Sequence, residues 1–301
     1  MNVSRRDFLK LCGVGAVTMG VGAKFAPPTL KPGSRRVPIS PKTGNGVLID
    51  VTACVGCRSC QRACKIANNL PSDGRETALS ATTLTIVDFK NISTKADQPE
   101  IKPVKRQCMH CDEPACVSVC PVGALTKTSS GAVTYDANLC MGCRYCMVAC
   151  PFGVPKYNWD SPNPKINKCA QSCMANGKSD RPACVQACPN KALAYGNRDE
   201  LLTIAHARIA QNPTKYVNQV YGENVIGGTS MLYLSSVPFE QLGFRTDLPN
   251  EPLPNLTWNA QEKIPSVLVA VATVLSGIAW WTHRAESRKL VEAPVKLEIG
   301  D

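Results

Sequence analysis

All but one of the chain's 17 cysteines fall between positions 54 and 188, in four groups of four. The groups are Cys54, Cys57, Cys60, Cys64; Cys108, Cys111, Cys116, Cys120; Cys140, Cys143, Cys146, Cys150; and Cys169, Cys173, Cys184, Cys188. The first and third read C-x2-C-x2-C-x3-C, the spacing that bacterial proteins use for iron–sulfur clusters. Three cysteines two residues apart wrap a short loop around one cube, so that three irons receive thiolates while backbone N–H groups point at the sulfides. The fourth cysteine lies on the following helical turn and points away, where in two-cluster motifs it ligates the other cluster. Pro121, Pro151 and Pro189 follow the last cysteine of three groups, ending the turn without an unsatisfied donor; Lys65 holds that position in the first group.

Zinc and disulfides compete for the same cysteines. A zinc site uses two separated pairs of ligands, and a third cysteine following at once in two groups would be surplus. Disulfides suit an exported, cysteine-rich chain. However, the N-terminus reads Ser4-Arg5-Arg6-Asp7-Phe8-Leu9-Lys10 before a mild apolar stretch from Leu11 to Ala23. That is a twin-arginine export signal, and such export moves folded proteins, so the thiols can be assembled on iron before they meet an oxidising compartment. Cys12 lies inside this segment and starts no metal motif.

The formal net charge of +11 invites a nucleic-acid reading. Each [4Fe–4S] cluster with four thiolates carries about −2 when oxidised, and four carry about −8. A cut after Ala23 removes Arg5, Arg6, Asp7 and Lys10, so the loaded mature chain sits near neutrality. The basic excess is compensation for cluster charge rather than a nucleic-acid footprint. No nucleophile with a paired base and no Walker or dinucleotide glycine motif is present, so the chain is expected to be a non-catalytic partner of an oxidoreductase.

The elements around these groups predict an α+β fold. Pro114-Ala115-Cys116-Val117-Ser118-Val119-Cys120-Pro121 parallels Pro182-Ala183-Cys184-Val185-Gln186-Ala187-Cys188-Pro189, an internal repeat. Leu125-Thr126 and Ala132–Tyr135 flank a Lys-Thr-Ser-Ser-Gly turn and predict a hairpin. Thr83 to Lys90 alternates as a strand, short helices are expected after each quartet, and a surface helix carrying His206 is expected around Asp199–Ala210. His110 is read as filler inside a completed quartet. Arg58, Arg62, Lys65, Arg144 and Lys156 lie near cysteines and could raise cluster potentials, since reduction adds negative charge.

Near the C-terminus, Ile264 to Trp281 carries no charge, and as a helix it would span about 27 Å, one hydrocarbon thickness. Trp258, Trp280 and Trp281 flank it as interfacial aromatics do, and His283, Arg284, Arg288 and Lys289 follow. An exported body would leave this basic tail in the cytosol. The expected organisation is a signal segment at 1–26, a linker at 27–45, cysteine-bearing modules, an extension at 201–262, a transmembrane helix at 264–282 and a cytoplasmic tail at 283–301.

Gln107-Cys108-Met109-His110-Cys111, Cys116–Val122, Gly142–Pro151 and Val154-Pro155-Lys156-Tyr157 resemble the four-cluster ferredoxin-like iron–sulfur subunits of membrane-bound respiratory oxidoreductases. The HybA-type subunit of quinone-linked [NiFe] uptake hydrogenase is the closest in character. The resemblance spans roughly residues 46–245. It implies two ferredoxin-like 2[4Fe–4S] modules related by pseudo-twofold symmetry. Residues 46–100 and 165–200 form one, and 101–164 are inserted as the other. It also implies the ligand sets: Cys54, Cys57, Cys60 and Cys188; Cys64, Cys169, Cys173 and Cys184; Cys108, Cys111, Cys116 and Cys150; Cys120, Cys140, Cys143 and Cys146. Three residues separate Cys169 from Cys173 where family members commonly have two, so that loop must bulge. The segment from Tyr221 to Tyr233 resembles the family's extension and is expected to pack on partner subunits. The implied partners are catalytic [NiFe] hydrogenase subunits outside the membrane and a quinone-reactive membrane subunit. A molybdopterin or tungstopterin oxidoreductase, such as formate dehydrogenase or a sulfur-compound reductase, is the alternative setting.

Overall fold

A computed structural model describes residues 44–72, 74, 76–93, 99–159, 165–171 and 180–292. Residues 1–43, which include Cys12 and the segment expected to direct twin-arginine export, together with Cys173 and residues 293–301, lie outside the described residues.

The interior is organised by β1 (Asn45–Asp50), whose Val47, Leu48 and Ile49 are all about 1% exposed. A strand apolar on successive residues must be covered on both faces. It is the middle of a three-stranded sheet, antiparallel to β8 (Leu193–Asn197) and parallel to β9 (Met231–Leu234). On one face, Leu48, Leu232 and Leu234 meet Leu201, Ala205 and Ile209 of helix α5 (Arg198–Gln211). These helix residues recur every four positions, one stripe of a helix. The Asn197 side chain caps α5 by accepting from the Asp199 and Glu200 N–H groups. On the other face, Val47, Ile49, Met231 and Tyr233 pack with Tyr221, Phe239, Leu242 and Phe244. Tyr221 lies 4.6 Å from Phe244 between ring centroids and 5.3 Å from Phe239, so the aromatic rings form one contiguous cluster. Phe239 is fully buried there. We expect Phe239→Ala to cost about 3–5 kcal/mol, seen as a lower midpoint in denaturant for the detergent-solubilised holoprotein.

The segment from Tyr221 to Tyr233 is largely core rather than a surface extension. Tyr221, Thr229 and Tyr233 are buried in the chain's own core, and β9 completes the central sheet. The run Met231–Leu234 is buried at every residue and needs a sheet to satisfy its backbone.

The remaining elements carry the cysteine loops. A ribbon pairs β2 (Thr85–Ser93) with β3 (Pro99–Gln107) and delivers the chain to Cys108. The expected strand at Thr83–Lys90 is thus shifted and extended by a partner that Pro99 and Pro103 conceal in the sequence. Proline is tolerated because both strands of a two-stranded ribbon are edges. The predicted hairpin forms, with β4 (Leu125–Lys127) paired to β5 (Val133–Tyr135). A second short pair joins β6 (Lys156–Tyr157) and β7 (Ile166–Asn167). The short helices begin inside the quartets rather than after them: α1 (Ser59–Ala67), α2 (Ala115–Ser118), α3 (Tyr145–Ala149) and α4 (Ala183–Gln186) each hold at least one cysteine. After α6 (Leu253–Gln261), α7 runs from Ile264 to Glu292, past the expected end at residue 282. Its stretch Ile264–Arg284 is long and apolar enough to cross a membrane, and none of its most apolar window is buried against the rest of the chain.

Candidate metal centres

Each cysteine loop is shaped by residues held at positive φ. In the first, Asp50 accepts from the Thr52 and Ala53 N–H groups and turns the chain into Cys54. Gly56 then adopts φ 71° and Arg58 φ 59°. A Cβ on Gly56 would stand 2.7 Å from the Phe89 ring, so only glycine fits. The third loop repeats this conformation, with Gly142 at φ 74° and Arg144 at φ 66°. His110 and Gln171 occupy the matching place two residues after Cys108 and Cys169, at φ 48° and 54°. Both guanidiniums lie over aromatic rings, Arg58 5.1 Å from Phe89 and Arg144 4.3 Å from Trp159.

The sequence repeat is also a repeat of hydrogen bonds. The Val117 N–H donates to Pro114 O and the Gly123 N–H to Cys120 O, at 3.0 and 3.3 Å. Val185 donates to Pro182 O and Lys191 to Cys188 O, at 2.9 and 3.3 Å. The turn after Cys150-Pro151 closes the same way, from the Gly153 N–H to Cys150 O. In the first quartet, where Lys65 replaces proline, α1 instead continues to Ala67.

Cysteines distant in sequence come together. Cys54, Cys57, Cys60 and Cys188 line one cavity of about 460 Å³, open mouth included. Cys64, Cys169 and Cys184 line a second of about 510 Å³; Cys173 lies outside the described residues. Burial pushes the Cys111 thiol pKa well above its ordinary value, and Cys108, Cys116 and Cys150 add to the rise. Cys146 is raised by burial and by Cys140, Cys143 and Cys120 around it, against a lowering from Tyr157. The Tyr157 hydroxyl lies 3.7 Å from Cys146 Sγ. Cys116 is pushed up to about 12 by burial and then by Cys108. Thiols this costly to ionise become thiolates only when a metal compensates them.

Successive sets also touch electrostatically. Cys60 feels Cys184, Cys169 feels Cys108, and Cys116 feels Cys146. Cys57 and Cys143 are exposed, one in the first set of this series and one in the last.

The donor set fits an iron–sulfur cluster: the thiols line volumes of several hundred cubic ångströms and supply the cysteine ligands such a cluster takes.

Several polar residues lie among these thiols. His110 is fully buried and its Nδ1 accepts from the Val133 N–H at 2.8 Å, so it ties the second loop to β5. Burial and then Lys168, Lys127 and Lys105 hold its pKa well below the ordinary range, and it is neutral. Lys65 is neutralised by Glu76 and donates to Pro71 O at 2.6 Å, so its charge is already balanced. The sequence reading overlooked two buried lysines, Lys105 and Lys168. Lys105 donates to Thr85 Oγ1 and Gln107 Oε1, and Lys168 to the carbonyls of Val133 and Cys169. Among the described residues neither has a carboxylate partner. His206, on α5, is exposed 3.2 Å from Glu223.

The family model described as a 4Fe–4S dicluster domain matches residues 100–198, which hold three of the four quartets. A protein of Nitratidesulfovibrio vulgaris is 40% identical over 298 residues, covering 94% of this chain and 78% of its own length. The hydrogenase-2 operon protein HybA of Escherichia coli O157:H7 is 37% identical over 292 residues, covering 82% of this chain and 84% of its own. The formate dehydrogenase-O iron–sulfur subunit of Escherichia coli is 33% identical over 198 residues, 62% of this chain and 65% of that subunit. With thiols grouped around cavities and kinship extending over nearly its whole length, the chain is a [4Fe–4S] protein and belongs to the ferredoxin-like iron–sulfur family that contains HybA and the iron–sulfur subunits of formate dehydrogenases.

Proposed function

We propose that the chain relays single electrons through four [4Fe–4S] clusters between a catalytic subunit outside the cytoplasmic membrane and a quinone-reactive subunit within it. The observation that carries this reading is the gathering of thiols remote in sequence, Cys54, Cys57, Cys60 and Cys188 around one cavity and Cys64, Cys169 and Cys184 around another that shares Lys105 with it, with Cys108 raising Cys169 and Cys146 raising Cys116 in the sets beyond. Bound clusters supply reversible one-electron chemistry. The chain's own residues hold them, space them and keep water away. The ligand sets are Cys54, Cys57, Cys60 and Cys188; Cys64, Cys169, Cys173 and Cys184; Cys108, Cys111, Cys116 and Cys150; and Cys120, Cys140, Cys143 and Cys146. The chain itself carries out no substrate chemistry.

The two ends of this series suit two docking partners. Exposed Val55 flanks Cys57, and exposed Met141, Tyr145 and Val148 flank Cys143. Apolar side chains concentrated beside an exposed ligand suit a protein interface. Helix α6, which leads into α7, lies against α2 between Cys111 and Cys120. That contact favours the Cys143 end as the one nearer the membrane. Residues 46–100 with 165–200 form one module and 101–164 the inserted other. The matching dihedrals at Gly56/Arg58 and Gly142/Arg144 support their pseudo-twofold relation. The body is extracytoplasmic, delivered by the twin-arginine segment, and the residues after 282 face the cytosol.

Kinship with HybA favours a hydrogenase as the catalytic partner. Formate dehydrogenase, whose iron–sulfur subunits are also similar, is the alternative. Anaerobic purification of the intact complex from detergent-solubilised membranes tests both levels. We expect about sixteen iron atoms per chain and a co-purifying nickel–iron subunit. About eight iron atoms would end the four-cluster reading, and a pterin-containing partner would replace the hydrogenase by the alternative.

A further inference from the structure

We propose that Lys105 is a built-in countercation shared by the first two thiol sets, and that its charge sets the reduction potentials of both clusters they hold. The inference rests on the cluster-relay reading above and adds a residue that acts through the clusters without ligating them.

Lys105 lies on β3, in register with the buried Val87 of β2. Lys105 forms part of the wall of both cavities, the one lined by Cys54, Cys57, Cys60 and Cys188 and the one lined by Cys64, Cys169 and Cys184. It is 4% exposed. A buried ammonium is costly unless an anion faces it, and among the described residues no carboxylate does. Two of its N–H groups donate to Thr85 Oγ1 at 2.8 Å and Gln107 Oε1 at 2.6 Å. Gln107 Nε2 donates in turn to the Tyr233 hydroxyl at 2.9 Å, and that hydroxyl donates to Lys105 O at 3.0 Å. The amine is therefore fixed by a closed network, and its third N–H has no acceptor among the described residues. The groups it faces across the two cavities are thiols, Cys60 in one and Cys169 and Cys184 in the other, and as thiolates on iron they supply the anions that a buried ammonium requires.

A fixed positive charge beside a cluster favours the reduced, more negative state. Because Lys105 borders two cavities, it acts on both clusters together. The three other cations beside the first loop are placed differently. Lys65 is paired with Glu76, Arg62 is exposed, and Arg58, stacked on Phe89, lines the first cavity without lining the second.

The test is an EPR-monitored potentiometric titration of holoprotein in its complex, with iron counted in each sample. In Lys105→Met, two of the four one-electron couples should become at least about tenfold harder to reduce, ~59 mV lower for a one-electron step. The other two should move by less than half as much. Lys105→Arg should restore the native values. Unmoved couples in fully loaded Lys105→Met would overturn the proposal, as would Lys105→Arg falling as far as Lys105→Met. Should Lys105→Met load less iron, Lys105→Arg decides: full iron with native potentials supports the charge role, and lost iron despite the retained charge overturns it. Wild-type protein lacking the expected iron would instead defeat the relay reading itself.

Discussion

Cys188→Ala is expected to abolish the same cluster that Cys54→Ala abolishes, and to leave the one served by Cys184 in place. The two residues lie at opposite ends of the cysteine-bearing region, yet both line one cavity, with Cys57 and Cys60. Cys184, only one helical turn before Cys188, lines the other cavity with Cys64 and Cys169. Each single substitution should remove about a quarter of the iron and one EPR couple. Electron throughput of the complex should fall at least about tenfold, the scale on which even outer-shell partners of a metal site act. The informative arm is the double variant. Residues that serve one unit are strongly non-additive, so Cys54→Ala with Cys188→Ala should lose no more iron than either alone. Cys54→Ala with Cys184→Ala should lose about twice as much. If Cys188→Ala and Cys184→Ala instead abolish the same couple, the ligand sets follow the sequence groups and the pairing across the modules is wrong.

Removal of iron should unfold much of the described body rather than leave it empty. Lys105 and Lys168 are buried without a carboxylate partner among the described residues. A buried charge whose partner is lost costs several kcal/mol. Two such charges rival the whole stability of a typical domain, about 5–15 kcal/mol. Mutually raising thiols such as Cys108, Cys111, Cys116 and Cys150 add to the cost of keeping the sets together as anions. Anaerobic chelation is therefore expected to abolish the cooperative thermal transition and to expose β2, β3 and the cysteine loops to hydrogen exchange. Neutralising both lysines with methionine should partly rescue the iron-free protein while impairing the loaded one. An iron-free wild-type chain that kept its cooperative transition would show that the lysines are tolerated without cluster charge, and would remove the electrostatic basis of this argument.

Much of the candidate site was legible because its signals are local. C-x2-C-x2-C loops need glycine or another residue at positive φ close to the ligands, and Gly56 and Gly142 stand there in the sequence. The repeat Pro114–Pro121 and Pro182–Pro189 encodes one helical turn twice, and the two copies form the same hydrogen bonds. The hairpin across Lys127–Gly131 was legible for the same reason, since a turn and its flanking alternation lie within a dozen residues. Where the reading departed from the structure, the cause was a distant partner. Pro99 and Pro103 argue against a strand until β2 is seen beside it. Met231–Leu234 looks like a surface extension until β1, remote in sequence, is found to pair with it in parallel. Lys65 looked like a cluster-tuning cation because it neighbours a cysteine in sequence, but its charge is balanced by Glu76.

By itself the sequence determined which atoms can bind iron, how many thiols each loop offers, and where an apolar helix follows them. Thiol chemistry and loop geometry reside in stretches of a few residues, so they survive without knowledge of the fold. Only the tertiary structure decided which lysine borders two of the cavities the thiols line, and that the segment around Tyr233 is core. Those outcomes depend on strand register and on packing between residues far apart in the chain, and burial, which makes an unpaired ammonium costly, exists only once those strands have come together.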